Sequence, residues 1–105
     1  MTSPQVLIDR YFKLALQADD AYFAQFADDA VVEDEGHTHH GATAIRAWRT
    51  SVPPVTYTVR DVTSAGTGHD VDAEVAGDFP GSPVTLHFHF EFTAGDQIAV
   101  LTIRP

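Results

Sequence analysis

Apolar residues early in the chain recur every three or four positions: Leu7, Ile8, Tyr11, Leu14, Ala15 and Ala18 form one stripe. That spacing follows the 3.6-residue helical turn and predicts an amphipathic helix over roughly residues 3–18. Thr2 or Ser3 can cap it, with Pro4 in the first turn, where a missing N–H costs nothing. Asp19-Asp20 interrupts the stripe and can cap a second, short helix, AYFAQFA, in which Phe23 and Phe26 lie three residues apart on one face. Ala30-Val31-Val32 reads as a strand running into Glu33-Asp34-Glu35, and residues 36–41 read as a loop. The stretch ATAIRAWRT, with Ile45 and Trp48 on one face, is a third helix that Pro53-Pro54 cannot continue.

From Val55 onward the period changes to two. VTYTVRDVT, VDAEVAG, PVTLHFHFEF and QIAVLTI read as four strands. Gly66-Thr67-Gly68, Pro80-Gly81 and Ala94-Gly95-Asp96 supply the turns between them, Pro-Gly suiting the central pair of a type II turn. Helices followed by a run of hairpin-connected strands predict an α+β domain with helices gathered on one face of a curved, mostly antiparallel sheet. The alternating βαβ order of a parallel sheet is absent.

A length of 105 residues fits one domain with one core, residues 1–105. The net charge of −9 changes the picture of partners, because phosphate backbones and anionic bilayers are repelled by such a surface. Neither nucleic acid nor membrane is therefore an expected partner. The absence of cysteine removes thiol catalysis and thiolate metal sites, and is compatible with an intracellular compartment. Charged residues by position 9 argue against a signal peptide or a span at the start, so a cytoplasmic location is expected.

The segments RYFKLALQADD, FADDAVVEDEG, HTHHGATAIRAW and GDFPGSPVTLHFHFEFTAGDQIAVLTI together resemble the SnoaL-like, ketosteroid-isomerase-like branch of the NTF2-like superfamily. The resemblance covers nearly the whole chain. It implies a cone-shaped roll whose open end admits a small apolar ligand and whose outer sheet face pairs two protomers as a homodimer. Relatives in that superfamily include isomerases, cyclases, dehydratases, epoxide hydrolases and pure binding domains, so the fold implies no single chemistry.

Tyr11 lies on the inward stripe of the first helix. Its ring belongs to the core, and its hydroxyl either finds a partner at the rim or donates to a ligand carbonyl. By resemblance to the isomerases, where a similar tyrosine stands eight residues before an aspartate as Tyr11 stands before Asp19, the second role is implied. Asp34 stands where the similar isomerase segment carries its proton-shuttling carboxylate, and is the general-base candidate. Its other reading is a strand end in a solvated acidic loop. Glu33 and Glu35, of opposite parity on an extended strand, are expected to face away from it.

His39 matches the family's THxG histidine and is expected to face the pocket as acid, base or orienter of Asp34. His37 and His40 are expected outside. Three histidines within four residues match no standard ligand spacing, and neither a metal nor another cofactor is expected. Trp48, Phe88, Phe23, Phe26 and Phe90 are the expected pocket wall. Phe88 occupies the position where the isomerases carry a second, protonated acid, and that missing donor argues against steroid isomerisation. His87 and His89 share a strand face with Thr85 and Glu91 opposite the phenylalanines, which places them on the outside.

Three functions compete on these grounds. One is an isomerase, cyclase or dehydratase type of enzyme that acts on a small, apolar carbonyl compound, with Asp34 moving a proton, His39 assisting and Tyr11 stabilising the enolate. The second is a binding domain that holds such a ligand without turnover. The third is a dimerisation module with a vestigial pocket.

Overall fold

The computed structural model describes residues 3–105, so Thr2 lies outside the described residues. Helix α1 (Pro4–Ala15) is capped by Ser3, whose side chain accepts from the Val6 amide, and it buries Leu7, Ile8, Tyr11, Phe12 and Ala15. It stops three residues short of its apolar stripe. Ala18 takes a φ of +50°, and Asp19 then caps α2 (Asp20–Ala24) by accepting from the Ala21 amide at 3.1 Å. A left-handed residue cannot continue a right-handed helix, and an Asp side chain in extended conformation restarts one.

Helix α2 is shorter than expected. Phe26 does not share a helical face with Phe23; it opens strand β1 (Phe26–Asp34). The larger correction follows. Residues 37–40, read from sequence as loop, form strand β2 (His37–His40), paired antiparallel to β1 with Asp34 opposite His37 and Val32 opposite His39. The turn is Glu35-Gly36, with φ of +53° and +77°, the two positive angles that a tight hairpin requires. Polar residues on both faces of β2 hid it, because alternation of apolar and polar is the sequence signal of a strand.

Helix α3 (Ala42–Thr50) has the bounds its sequence predicts and buries Ile45 and Trp48. Strands β3 (Val55–Ala65), β4 (Gly68–Gly77), β5 (Val84–Phe92) and β6 (Ile98–Arg104) follow. Between β4 and β5 the Ser82 amide donates to the Phe79 carbonyl at 3.3 Å across Pro80-Gly81, with Gly81 at φ +87°, as a type II turn demands.

The six strands lie in the order β2-β1-β6-β5-β4-β3, all antiparallel except the β1–β6 pair. Register shifts in β3, in β1 and between β5 and β6 bend the sheet, and it stays open with β2 and β3 as edges. The core lies between α1 and the concave face, where Tyr11 and Phe12 meet Phe88 and Phe90 edge-on, with ring centroids 5.1–6.2 Å apart. Among the described residues no helix is long and apolar enough to cross a membrane.

Candidate functional site

A cavity of about 260 Å³ opens between the end of β1, the C-terminal turn of α3 and the concave face of β3–β6. Its polar side chains include Tyr11, Asp34, Glu35, Arg49, Ser51 and Tyr57; Val52, Val55, Val75, Leu86, Phe88 and Ile103 make much of the apolar wall. Residues 51–53, in the connection from α3 to β3, line it directly, so the short link forms part of the rim rather than a lid.

Asp34 is the last residue of β1, where the pleat carries its side chain inward on the same face as buried Val32. The indole Nε1 of Trp48, one turn from the end of α3, donates to its Oδ2 at 3.0 Å. An indole N–H can only donate, so this contact orients the carboxylate. Oδ1 has no hydrogen-bonding protein partner among the described residues. Glu33, of opposite parity, pairs on the outside with Arg104 at 3.2 Å, as its position predicts. Glu35 departs from expectation. Its positive φ breaks the extended pleat, and parity no longer governs where the side chain goes; it lies at the cavity rim.

Tyr11 lines the cavity from α1, and its ring is buried against Phe90 and Phe12. Its hydroxyl already has a partner, the Tyr22 hydroxyl at 3.0 Å, and either can be the donor. Burial pushes both phenols well above their ordinary pKa, so both keep their protons throughout the working pH range.

His39 is half-buried and does not line the cavity. The register of β2 sets it opposite Val32 instead of Asp34, and its ring lies 6.1 Å from the Trp48 ring, tilted by 32°. No hydrogen bond joins His39 to Asp34; each contacts Trp48 instead. His37 and His40 are exposed, and among the described residues no three His, Asp or Glu side chains are grouped with metal-holding geometry.

Trp48 and Phe88 line the cavity; Phe23, Phe26 and Phe90 do not. Phe90 lies on the same face of β5 as Phe88, but the rings of Tyr11 and Phe12 cover it. Phe23, on α2, and Phe26, at the start of β1, line a separate depression together with Arg46 and Gln97.

Sequence reasoning passed over Arg49, Tyr22 and Tyr57. Arg49 is half-buried; its Nη2 donates to the Ala15 carbonyl at 2.6 Å and lies 3.5 Å from the Tyr57 hydroxyl. Its guanidinium carbon stands 5.0 Å from the centre of the Tyr22 ring. Burial works against the charge, yet the oxygens of Tyr22, Tyr57 and Tyr11 outweigh it and raise the pKa. The signal for Arg49 in the sequence is its place four residues after Ile45, on the buried face of α3. Ala15, Tyr22 and Tyr57 cover it there.

Helices laid over an open, curved six-stranded sheet with a cavity between them define the ketosteroid-isomerase-like, NTF2-like α+β fold. Residues 8–101 match the model of the SnoaL-like domain, and the chain belongs to that family. It is similar to a candidate polyketide cyclase from Sinorhizobium meliloti, with 38% identity, 94% of each chain covered and a TM-score of 0.87. SalBIII, an epoxide hydrolase/cyclase-like enzyme of pyran ring formation in salinomycin, shares the fold at 18% identity and TM-score 0.78, over 95% of this chain and 88% of that one. So does a Catenulispora acidiphila protein with a ketosteroid isomerase-like fold, solved with trimethylamine, at 20% identity and TM-score 0.79, over 99% and 87%. No curated protein matches the chain.

Proposed function

We propose that the protein binds a small, largely apolar carbonyl compound in the cavity beside α3 and moves a proton on it without a cofactor, with Asp34 as the general base. The observation that carries this reading is the state of the Asp34 carboxylate: one oxygen held by Trp48 and the other left without a protein partner at an apolar-walled cavity. A positioned carboxylate of that kind removes a C–H proton next to a carbonyl, and the step begins isomerisation, cyclisation and dehydration alike. The cavity volume of about 260 Å³ falls just below the usual range for drug-sized ligands, which favours one or two rings over a four-ring steroid. The cyclase named among the similar structures supports the same class of chemistry.

Hydrogen–deuterium exchange at the α-carbon of cyclohexanone, followed by proton NMR in D2O, tests the base. Wild-type protein accelerates the exchange, and Asp34→Asn lowers that acceleration by about 10²- to 10⁴-fold. Equal rates in the two proteins defeat the proton-transfer role.

A second reading, binding without turnover, is favoured by the engagement of the Tyr11 hydroxyl with Tyr22 and by the position of His39 away from Asp34. In that reading Asp34 only orients the ligand, and binding is measured with no exchange in either protein. Pairing of two copies through the outer face of the sheet belongs to both readings, and a monomer mass in light scattering would remove it.

A further inference from the structure

The protein carries 15 acids against 6 Lys and Arg, so an arginine has carboxylates to choose from. Arg46, Arg60 and Arg104 are exposed, and each holds one: Asp20 at 3.7 Å, Glu74 at 3.3 Å and Glu33 at 3.2 Å. Arg10, also exposed, donates to the Asp96 backbone carbonyl at 3.4 Å. Arg49 differs from these four. It is half-buried, and among the described residues no carboxylate reaches it within ion-pair distance. Asp34 and Glu35 line the same cavity, but Asp34 is held by Trp48 instead.

Both hydrogen bonds of Arg49 go to neutral oxygens, and both use Nη2. Nη1 and Nε have no acceptor among the described residues, so most of a five-donor fork lies unused at a cavity wall. The Tyr22 and Trp48 rings, 5.0 and 5.9 Å from the guanidinium carbon, and the tyrosine oxygens hold this charge in place without neutralising it. An anion entering the cavity would meet donors that no protein carboxylate occupies. A planar guanidinium matches two oxygens of a planar anion, which separates this site from a generic apolar pocket. Val52, Val55, Leu86 and Phe88 line the same cavity and suit an apolar body attached to the anionic end.

We infer that the cavity selects a small anionic ligand with an apolar body, carrying a carboxylate or the enolate of an acidic 1,3-dicarbonyl, and that Arg49 is the residue that reads the charge. This rests on the reading of the cavity as a ligand site, and not on proton transfer by Asp34.

Calorimetric titration of the full chain with two matched probe pairs tests it: cyclohexanecarboxylate against cyclohexanecarboxamide, and cyclohexane-1,3-dione, an enolate at neutral pH, against cyclohexanone. In the wild type the anion of at least one pair binds tenfold or more tightly than its neutral partner, and the pair that discriminates tells carboxylate from enolate. Arg49→Gln brings that ratio close to one; Arg49→Lys, which keeps the charge but not the fork, retains part of it. Circular dichroism checks that each variant is folded, and if Arg49→Gln is not, the wild-type ratio and Arg49→Lys decide. Equal binding of anion and neutral probe by the wild type overturns the inference and leaves the cavity a ligand site. An anion preference undiminished in folded Arg49→Gln, or in Arg49→Lys where the Gln variant does not fold, removes Arg49 from the role. Binding of no probe overturns the ligand-site reading and this inference together.

Discussion

The two faces of β5 put the same strand in two electrical worlds. Inward, Phe88 and Phe90 stack with planes 13° apart, and Phe90 and Phe92 with planes 6° apart, while nearby the Tyr11–Tyr22 hydroxyl pair is buried. Outward, histidines and acids alternate: His87 meets Asp72, and His89 lies between Asp70 at 2.8 Å and Glu91 at 3.0 Å. Polar pairs occur on both sides. What differs is what replaces a lost partner. Outside, water does, and the pair is worth little; inside nothing does, and the orphaned group bears its full desolvation cost.

The sharpest way to break the comparison is at Phe90, fully buried between Tyr11, Phe12 and its stacked neighbours. Phe90→Ala should lower stability by about 3–5 kcal/mol in urea titration, since the strand cannot collapse into the space. The same measurement on His89→Ala, one residue away, should move by under about 1 kcal/mol.

The hydroxyl pair comes next. Tyr11→Phe leaves the buried Tyr22 oxygen without its partner and should cost about 1–3 kcal/mol, as should Tyr22→Phe. The double variant should lose less than the sum, because removing both hydroxyls leaves no orphan. Strict additivity would mean that the two hydroxyls do not depend on each other.

The smallest effect is on the outer face and depends on pH. The Asp70 carboxylate, helped by Glu91 against partial burial, raises the His89 pKa above its ordinary 6.5. A raised folded-state pKa adds stability that is fully present below the unfolded value and fades as pH climbs through the folded one. The stability lost in His89→Gln should therefore be larger at pH 6 than at pH 9. A difference that grows with pH would reverse the assignment.

Much of the fold was legible because burial imposes period on sequence. The stripe of α1, the bounds of α3, the alternation of β4–β6 and the Pro80-Gly81 turn all follow from which side chains must avoid water. Strand β2 was not legible, since an edge strand with polar residues on both faces carries no such period, and Phe26 was assigned to a helix because three-residue spacing also occurs across a helix-to-strand junction. At the site, Asp34 was placed by resemblance and set apart from Glu33 by strand parity, whereas the place of His39 depended on a hairpin register that no local pattern records. Arg49 shares the face of Ile45 and Trp48, but no local pattern records that Ala15, Tyr22 and Tyr57 close over it.

By itself, then, the sequence determined the α+β class, the acidic surface, the helix and strand faces, and the family, because these depend on the chemistry of residues near one another in the chain. Only the tertiary structure decided that Trp48 holds Asp34, that Tyr11 spends its hydroxyl on Tyr22, and that an unpaired guanidinium stands at the cavity wall. Those are contacts between residues 8 to 34 positions apart, or between a side chain and an empty space, and both exist only once the chain has closed on itself.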